Sequence, residues 1–242
     1  MRSFSFFKRF TPEEHSIVRR ILEDAVRRTA DHADCCAMLS HLYCNEYWDG
    51  FNPLSGSLDR ALAAARRAVD LAPSQHLGHW ALALALYLRR DLAAFRPVAE
   101  RAIELNPMDG SSVAFMGLLI ALAGDWERGR AIADPASALN PQHAGWHRLL
   151  PFFDAYRQGD DRAALAAALR LDMPYFFQGP AARAAAYGQL GELQLARRAV
   201  ADLLRLWPDF ATGGRAYYER WQGPELVERL MEGYRKAGLS ME

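Results

Sequence analysis

Four residues in one stretch carry the side chains of a transition-metal site: His32, Cys36, His41 and Cys44. Imidazole and thiolate are donors that zinc prefers, and the pairs His32/Cys36 and His41/Cys44 are spaced as neighbours on a helix. Zinc, however, needs about four donors converging on one point, and a single straight helix cannot turn these four towards one another. The stretch therefore reads as a helix with Cys36 in a core position, and no metal is expected there. His76/His79 and His143/His147 likewise lack a third ligand. A Gly-rich phosphate loop, a nucleophile elbow and a metalloprotease motif are all missing from the sequence. Pairs of Glu and Asp on helix faces read as solvated surface pairs rather than acid/base couples. We expect no catalytic residue and no cofactor, hence a chain that is not an enzyme.

The elements that would position any site follow from composition and periodicity. The chain has 242 residues, 29 Lys+Arg against 29 Asp+Glu, and a hydrophobic fraction of 51%. Balanced charge argues against a basic nucleic-acid footprint, and a 24% charged fraction with six Trp argues against disorder. Roughly 40 alanines, with only Lys8 and Lys236 as lysines, favour packed helices over sheet. Cys35, Cys36 and Cys44 are odd in number and crowded, so a disulfide framework is not expected. Lys8 and Arg9 interrupt the apolar N-terminus, which does not read as a signal peptide. The longest apolar stretch, Val113 to Ala123, falls short of the ~20 residues that a bilayer requires, so no membrane association is expected and the default compartment is the cytoplasm.

A period near 34 organises most of the chain. Pro73, Pro107, Pro141, Pro174 and Pro208 are separated by 34, 34, 33 and 34 residues. Five residues before them stand Ala68, Ala102, Ala136, Leu169 and Leu203; eight before stand Ala65, Ala99, Ala133, Ala166 and Val200. These positions share one helical face, where small side chains let a second helix approach, and the proline ends the helix because it has no donor to continue it. A helix with larger residues precedes each, as in Val113, Met116, Gly117 and Ile120, followed by the turn Gly124-Asp125. The unit is helix, tight turn, helix.

This unit resembles the tetratricopeptide repeat. The stretch ending at Pro141 carries the motif in Val113, Met116, Gly117, Ile120, Gly124, Gly129, Ala133 and Ala136; the one ending at Pro208 carries it in Ala184, Tyr187, Gly191, Ala196, Val200 and Leu203. The resemblance implies an all-α, right-handed superhelical solenoid of antiparallel helix pairs. We divide it into an N-terminal half-repeat, 1–29; five repeats over 30–208, namely 30–73, 74–107, 108–141, 142–174 and 175–208; and a capping helix pair, 209–242. The first repeat is nine residues too long, and the surplus is assigned to an inserted loop, 44–57. Pro97, Pro135 and Pro151 fall inside expected helices and should bend or shorten them. Thr11 to Glu14 reads as a capping box that starts a helix near Pro12 running to about Thr29. At the other end, Ala211 to Trp221 and Pro224 to Ala237 read as two helices, the second closed by Gly238. More narrowly, Phe10 to Glu14, Asp49 to Pro53, His79 to Ala85, Ala121 to Arg128, Ala185 to Gly191 and Leu226 to Leu239 resemble the tetratricopeptide region C-terminal to bacterial class III adenylate/guanylate cyclases and winged-helix regulators. No stretch remains for a cyclase or winged-helix domain, so this resemblance implies a regulatory or docking module.

In such a solenoid the first helices of successive units line a concave groove, where a peptide or partner protein would bind. The groove residues expected to engage a partner are His41, Asn45, Arg89, Phe153, Tyr156, Arg157, Gln178 and Gln189. Aromatic and Arg side chains are frequent interface anchors, although Phe153 and Tyr156 could equally be packed between helices. Ala37, Ala81 and Ala114 stand where a carboxylate clamp would need polar groups, so a clamp is not expected. Tyr47, Trp48 and Phe51 form a second candidate, a docking loop, unless they fold back over a helix end. Phe4, Phe6, Phe7 and Phe10 could cap the N-terminal end or join two copies in a homodimer. The functional expectation is a protein-interaction scaffold; the alternatives are a small-molecule sensor, or a regulatory part detached from a cyclase-type protein.

Overall fold

The computed structural model describes residues 11–28, 31–138 and 145–241. Among them are thirteen α-helices and one 3-10 turn, with no strand. The chain forms two compact units, Met1–Ala123 and Gly124–Glu242. In the first lie α1 (Pro12–Arg28), α2 (Ala33–Trp48), α3 (Ser57–Leu71), α4 (His76–Leu88), α5 (Leu92–Leu105) and α6 (Gly110–Leu122). The second holds α7 (Trp126–Ala138), a 3-10 turn (Gly145–Arg148), α8 (Leu149–Gln158), α9 (Asp161–Ala168), α10 (Gln178–Leu190), α11 (Leu193–Leu206), α12 (Phe210–Glu219) and α13 (Pro224–Lys236).

The antiparallel pairs are built as their small residues dictate. In α3 the buried residues are Ala61, Ala65 and Ala68 with Ser57 at its start, and in α5 they are Phe95, Ala99 and Ala102, one narrow stripe facing the neighbouring helices. The remaining faces of α3 and α5 mix charged side chains, such as Arg66, Arg67, Glu100 and Arg101, with exposed or half-buried apolar ones. By contrast α4 and α6 are apolar around most of their circumference and are the buried helices of the first unit. Within that unit α2 packs on α3 and α4, and α4 on α5 and α6; in the second, α8 pairs with α9 and α10 with α11. The turns have a local cause. Gly124 and Gly159 have φ of +104° and +81°, the left-handed conformation that ends a helix, and the following Asp160 caps the next by accepting from Ala163 N at 3.0 Å. Asp125 does the same for Arg128 N at 3.2 Å.

Several expectations are corrected. Helix α2 continues to Trp48, so the non-helical insertion is 49–56 rather than 44–57. Pro97 and Pro135 interrupt neither α5 nor α7, because both sit on the exposed side, where the carbonyl that loses its donor can turn to water. Pro151 is the third residue of α8, a first-turn position that needs no donor, and a 3-10 turn replaces the helix expected before it. The fourth small-residue stripe is out of register: α9 buries Ala164 and Ala168, whereas Ala166 is exposed and Leu169 is 58% exposed. Only eight residues long, α9 takes its phase from the Asp160 cap, not from its distance to Pro174. In α11 Ala199 is the buried residue and Val200 only half-buried. Helix α1 begins at Pro12 as expected, with Glu14 N donating to Thr11 Oγ1 at 3.3 Å. The expectations for Phe4 to Phe10, Pro141 and His143 lie outside the described residues. No described helix is long and apolar enough to cross a membrane.

Candidate functional site

In the C-terminal unit the residues expected to line a groove are covered by the chain's own last two helices. Tyr156 and Phe153 on α8 and Gln178 on α10 are buried. Tyr156 Oη donates to the carbonyl of Arg229 at 2.9 Å, and Arg229 Nε donates back to the carbonyl of Tyr156 at 2.6 Å. The Arg229 guanidinium also reaches Asp161 Oδ1 at 2.6 Å. Gln189 Nε2 donates to the Arg229 carbonyl at 3.3 Å, and its Oε1 accepts from Lys236 Nζ at 2.8 Å. Phe153 meets the ring of Trp221 edge-on at 5.5 Å. Gln178 joins a buried chain of hydroxyls: it donates to Tyr217 Oη at 3.1 Å and accepts from Tyr218 Oη at 3.2 Å, which in turn accepts from Tyr234 Oη at 2.9 Å. Burial pushes the Tyr156, Tyr218 and Tyr234 hydroxyls up, so they remain neutral donors.

Glycines fix how closely α13 lies on α10. A Cβ at Gly188 would fall 2.1 Å from the carbonyl oxygen of Gly233, and one at Gly233 would fall 2.2 Å from Tyr156 Oη and 2.8 Å from the Ala185 carbonyl. Leu226, Val227, Leu230, Met231 and Tyr234 of α13 are buried. At ~1.5–3 kcal/mol for each large side chain, this is core packing, and a partner would have to displace all of it to reach Tyr156. Tyr156, Phe153 and Gln178 are thus unavailable as open groove residues. Arg157 alone of this set is exposed; it stacks over Trp126 at 4.3 Å and pairs with Asp154 at 2.7 Å.

The N-terminal unit differs. His41 and Trp48 on α2, Trp80 on α4 and Phe115 on α6 form a row across three successive first helices, and all four are half-buried. His41 meets Trp80 at 4.9 Å edge-on, Trp80 meets Phe115 at 5.3 Å, and Phe115 meets Trp48 at 6.1 Å. Burial, and then the charge of His15, pushes the pKa of His41 down to about 4, so at neutral pH the ring is an uncharged member of the row. Trp80 Nε1, itself enclosed, has no hydrogen-bond acceptor among the described residues. Neither Trp80 nor Phe115 is among the groove residues expected from the sequence: Trp80 stands 34 residues before Ala114, at the equivalent position of the repeat, and Phe115 stands one residue beyond Ala114.

The other expected residues are placed elsewhere. Asn45 is buried and spends its amide on Asp49 Oδ2 at 3.0 Å. Arg89 is exposed where α4 ends and pairs with Asp59 at the start of α3. Trp48 belongs to the aromatic row, Tyr47 lies half-buried in α2, and Phe51 packs edge-on against His15 at 6.0 Å, folded back on α1 rather than presented to solvent. A feature with no sequence signal is Glu46, buried in α2, whose carboxylate takes Arg19 Nη1 at 2.6 Å, Ser57 Oγ at 2.8 Å and Arg60. Cys35, Cys36 and Cys44 are free thiols, and no group of three metal-ligating side chains occurs among the described residues.

No protein-family model and no curated protein matches the chain. Solved structures do match it. A tetratricopeptide repeat protein from Parabacteroides merdae superposes with a TM-score of 0.52 at 16% identity, over 98% of this chain and 89% of that one. Yeast Tom70 gives 0.54 at 14% identity over 94% of this chain and 48% of that one, so the chain spans about half of Tom70's length. The fold is that of the tetratricopeptide repeat. A further structure, YrrB, described as a TPR protein with an unusual peptide-binding site, has a TM-score of 0.46 at 15% identity, over 78% of this chain and 93% of that one. In this tetratricopeptide-repeat fold the first-helix faces of the two units have different fates: one carries an aromatic row and the other is filled.

Proposed function

We propose that the chain is a non-catalytic protein-interaction module of the cytoplasm, and that it engages a peptide or partner protein through the inner, first-helix face of its N-terminal unit. The aromatic row His41, Trp80, Phe115 and Trp48 carries this reading. Large, rigid aromatics supply contact area at little entropic cost, and a few such residues dominate most interfaces. The groove binding inferred for Phe153, Tyr156, Arg157, Gln178 and Gln189 is accordingly moved to the other unit, since α12 and α13 cover most of that face. His41 stays in the candidate site; Asn45 and Arg89 leave it. A regulatory role alongside a cyclase-type protein rests on the scattered sequence resemblance, and an in-frame cyclase segment in the coding DNA upstream of Met1 would support it.

The test is capture of partners from a lysate of the native cells with the unaltered chain, with Trp80→Ala/Phe115→Ala, and with Arg89→Ala. Loss of two interface anchors at ~2 kcal/mol each would weaken affinity several-hundred-fold, to about 700-fold if additive, and deplete the bound protein from the capture, with Arg89→Ala unchanged. Undiminished recovery by a double variant whose circular dichroism is that of the unaltered chain would remove the N-terminal face from consideration.

A further inference from the structure

The insertion 49–56 is held to α1 by Pro12, Arg19 and a histidine whose protonation state is dictated by its neighbours. His15 is fully buried, and its Nε2 lies 2.9 Å from the carbonyl oxygen of Leu42. A carbonyl only accepts, so Nε2 carries the proton and Nδ1 of the neutral ring is an acceptor. Facing Nδ1 at 3.3 Å is the side-chain nitrogen of Asn52, which also donates to the carbonyl of Pro12 at 2.6 Å. That second bond fixes the amide: turning it over would set Asn52 Oδ1 against the Pro12 carbonyl, two acceptors in contact. Asn52 itself has a φ of +47°, a left-handed conformation, and its carbonyl accepts from Arg19 Nη1 at 3.2 Å. Side chain and backbone of this one residue thus join the insertion to α1.

We propose that His15 and Asn52 form an acid-sensitive latch, in which protonation of His15 at Nδ1 opposes two donors and releases the insertion 49–56 from α1. A proton on Nδ1 leaves three unfavourable choices: the two N–H groups repel, the amide turns and loses Pro12, or the ring turns and loses Leu42. Each undoes one hold on the insertion. The groups that face the ring are Arg19 on α1, Glu46 and His41 on α2, and Asn52 with the Phe51 ring on the insertion; Arg60 on α3 is tied to Glu46. Burial is the largest influence and lowers the pKa of His15 below its ordinary 6.5; the Leu42 carbonyl and Glu46 raise it, and Arg19 lowers it. A histidine lowered in the latched state gives its full stabilisation above 6.5, and this is lost as pH falls below 6.5 towards the latched value.

Hydrogen exchange read by mass spectrometry on the full chain tests this, at pH 7.5 and 5.5 with times corrected for the intrinsic pH dependence of exchange. At one pH unit below 6.5, linkage allows protection of 49–56 to fall by up to about tenfold, while α5 is unaffected. The fall should persist in His41→Gln and vanish in His15→Gln, which cannot take the proton. No change in the unaltered chain, or an undiminished change in His15→Gln, would overturn the latch. Should His15→Gln fail to fold, nitrogen-detected imidazole NMR of the unaltered chain decides. The latch requires the Nε2–H form at pH 7.5, and Asn52 amide resonances that move with the His15 ring at a shared midpoint. An Nδ1–H form, or Asn52 resonances indifferent to pH, would overturn it.

Discussion

Replacing Gly188 by Ala tests whether α13 truly lies on α10. The new Cβ would stand 2.1 Å from the Gly233 carbonyl oxygen and 3.0 Å from the Ala237 nitrogen, both backbone atoms that no rotamer change can move aside. Opening the first contact to the 3.0 Å below which real Cβ atoms are essentially never found requires α13 to retreat by about 0.9 Å. Such a retreat stretches the bonds of Tyr156 and Gln189 to the Arg229 carbonyl, now 2.9 and 3.3 Å. Overpacking of this kind costs ~3 kcal/mol, and the better helix propensity of Ala returns ~1 kcal/mol, leaving a net destabilisation of about 2 kcal/mol. Gly223→Ala is the control: its Cβ would meet nothing within 4 Å and its φ is −75°. Urea unfolding followed by tyrosine and tryptophan fluorescence should show a clearly lower midpoint for Gly188→Ala with little change in slope, and for Gly223→Ala, which replaces the N-cap of α13, a loss of only ~0.5 kcal/mol. If Gly188→Ala unfolds within ~0.5 kcal/mol of the unaltered chain, the crossing is wrong, and the face of α10 is open after all.

Two further outcomes follow from buried charge. Glu46→Ala removes the carboxylate shared by Arg19, Arg60 and Ser57 and leaves Arg19, whose side chain is only 13% exposed, with Glu23 at 4.0 Å as its remaining carboxylate. Breaking such a group should cost ~3 kcal/mol in chemical unfolding and should raise exchange in 49–56 at every pH; an effect below ~1 kcal/mol would mean that the cluster is solvated. For Asp154, burial opposes ionisation, but hydrogen bonds from Arg130, Gln158 and Arg157 outweigh it and hold the carboxyl below its ordinary 3.8. Its stabilisation is present above 3.8 and is lost as pH falls below that value, so the melting temperatures of the unaltered chain and Asp154→Asn should converge between pH 4 and 2.5. A constant gap between them across that range would show that Asp154 does not act through its charge.

What the sequence determined by itself is what short stretches of chain encode. The Gly-Asp turn at Gly124, the cap at Thr11, the prolines after α3, α5 and α11, and the small positions Ala65/Ala68 and Ala99/Ala102 all act over a few residues, and each of these local features is found in the structure. The stripe of α9 departs from the register counted back from Pro174, and the helix starts instead at the Asp160 cap. Which face of each helix remains open was not legible. Tyr156 and Arg229 are 73 residues apart, and Gln189 and Arg229 are 40 apart, with no local pattern linking them. The one hint lay in Gly188 and Gly233, which sit inside helices where Gly costs ~1 kcal/mol and so imply a close neighbour without naming it. Repeat position assigns a side chain to the inner face of its own pair, but only the assembled unit decides whether another helix lies on that face. Here α12 and α13 lie on it in one unit, and in the other Trp80 and Phe115 line it.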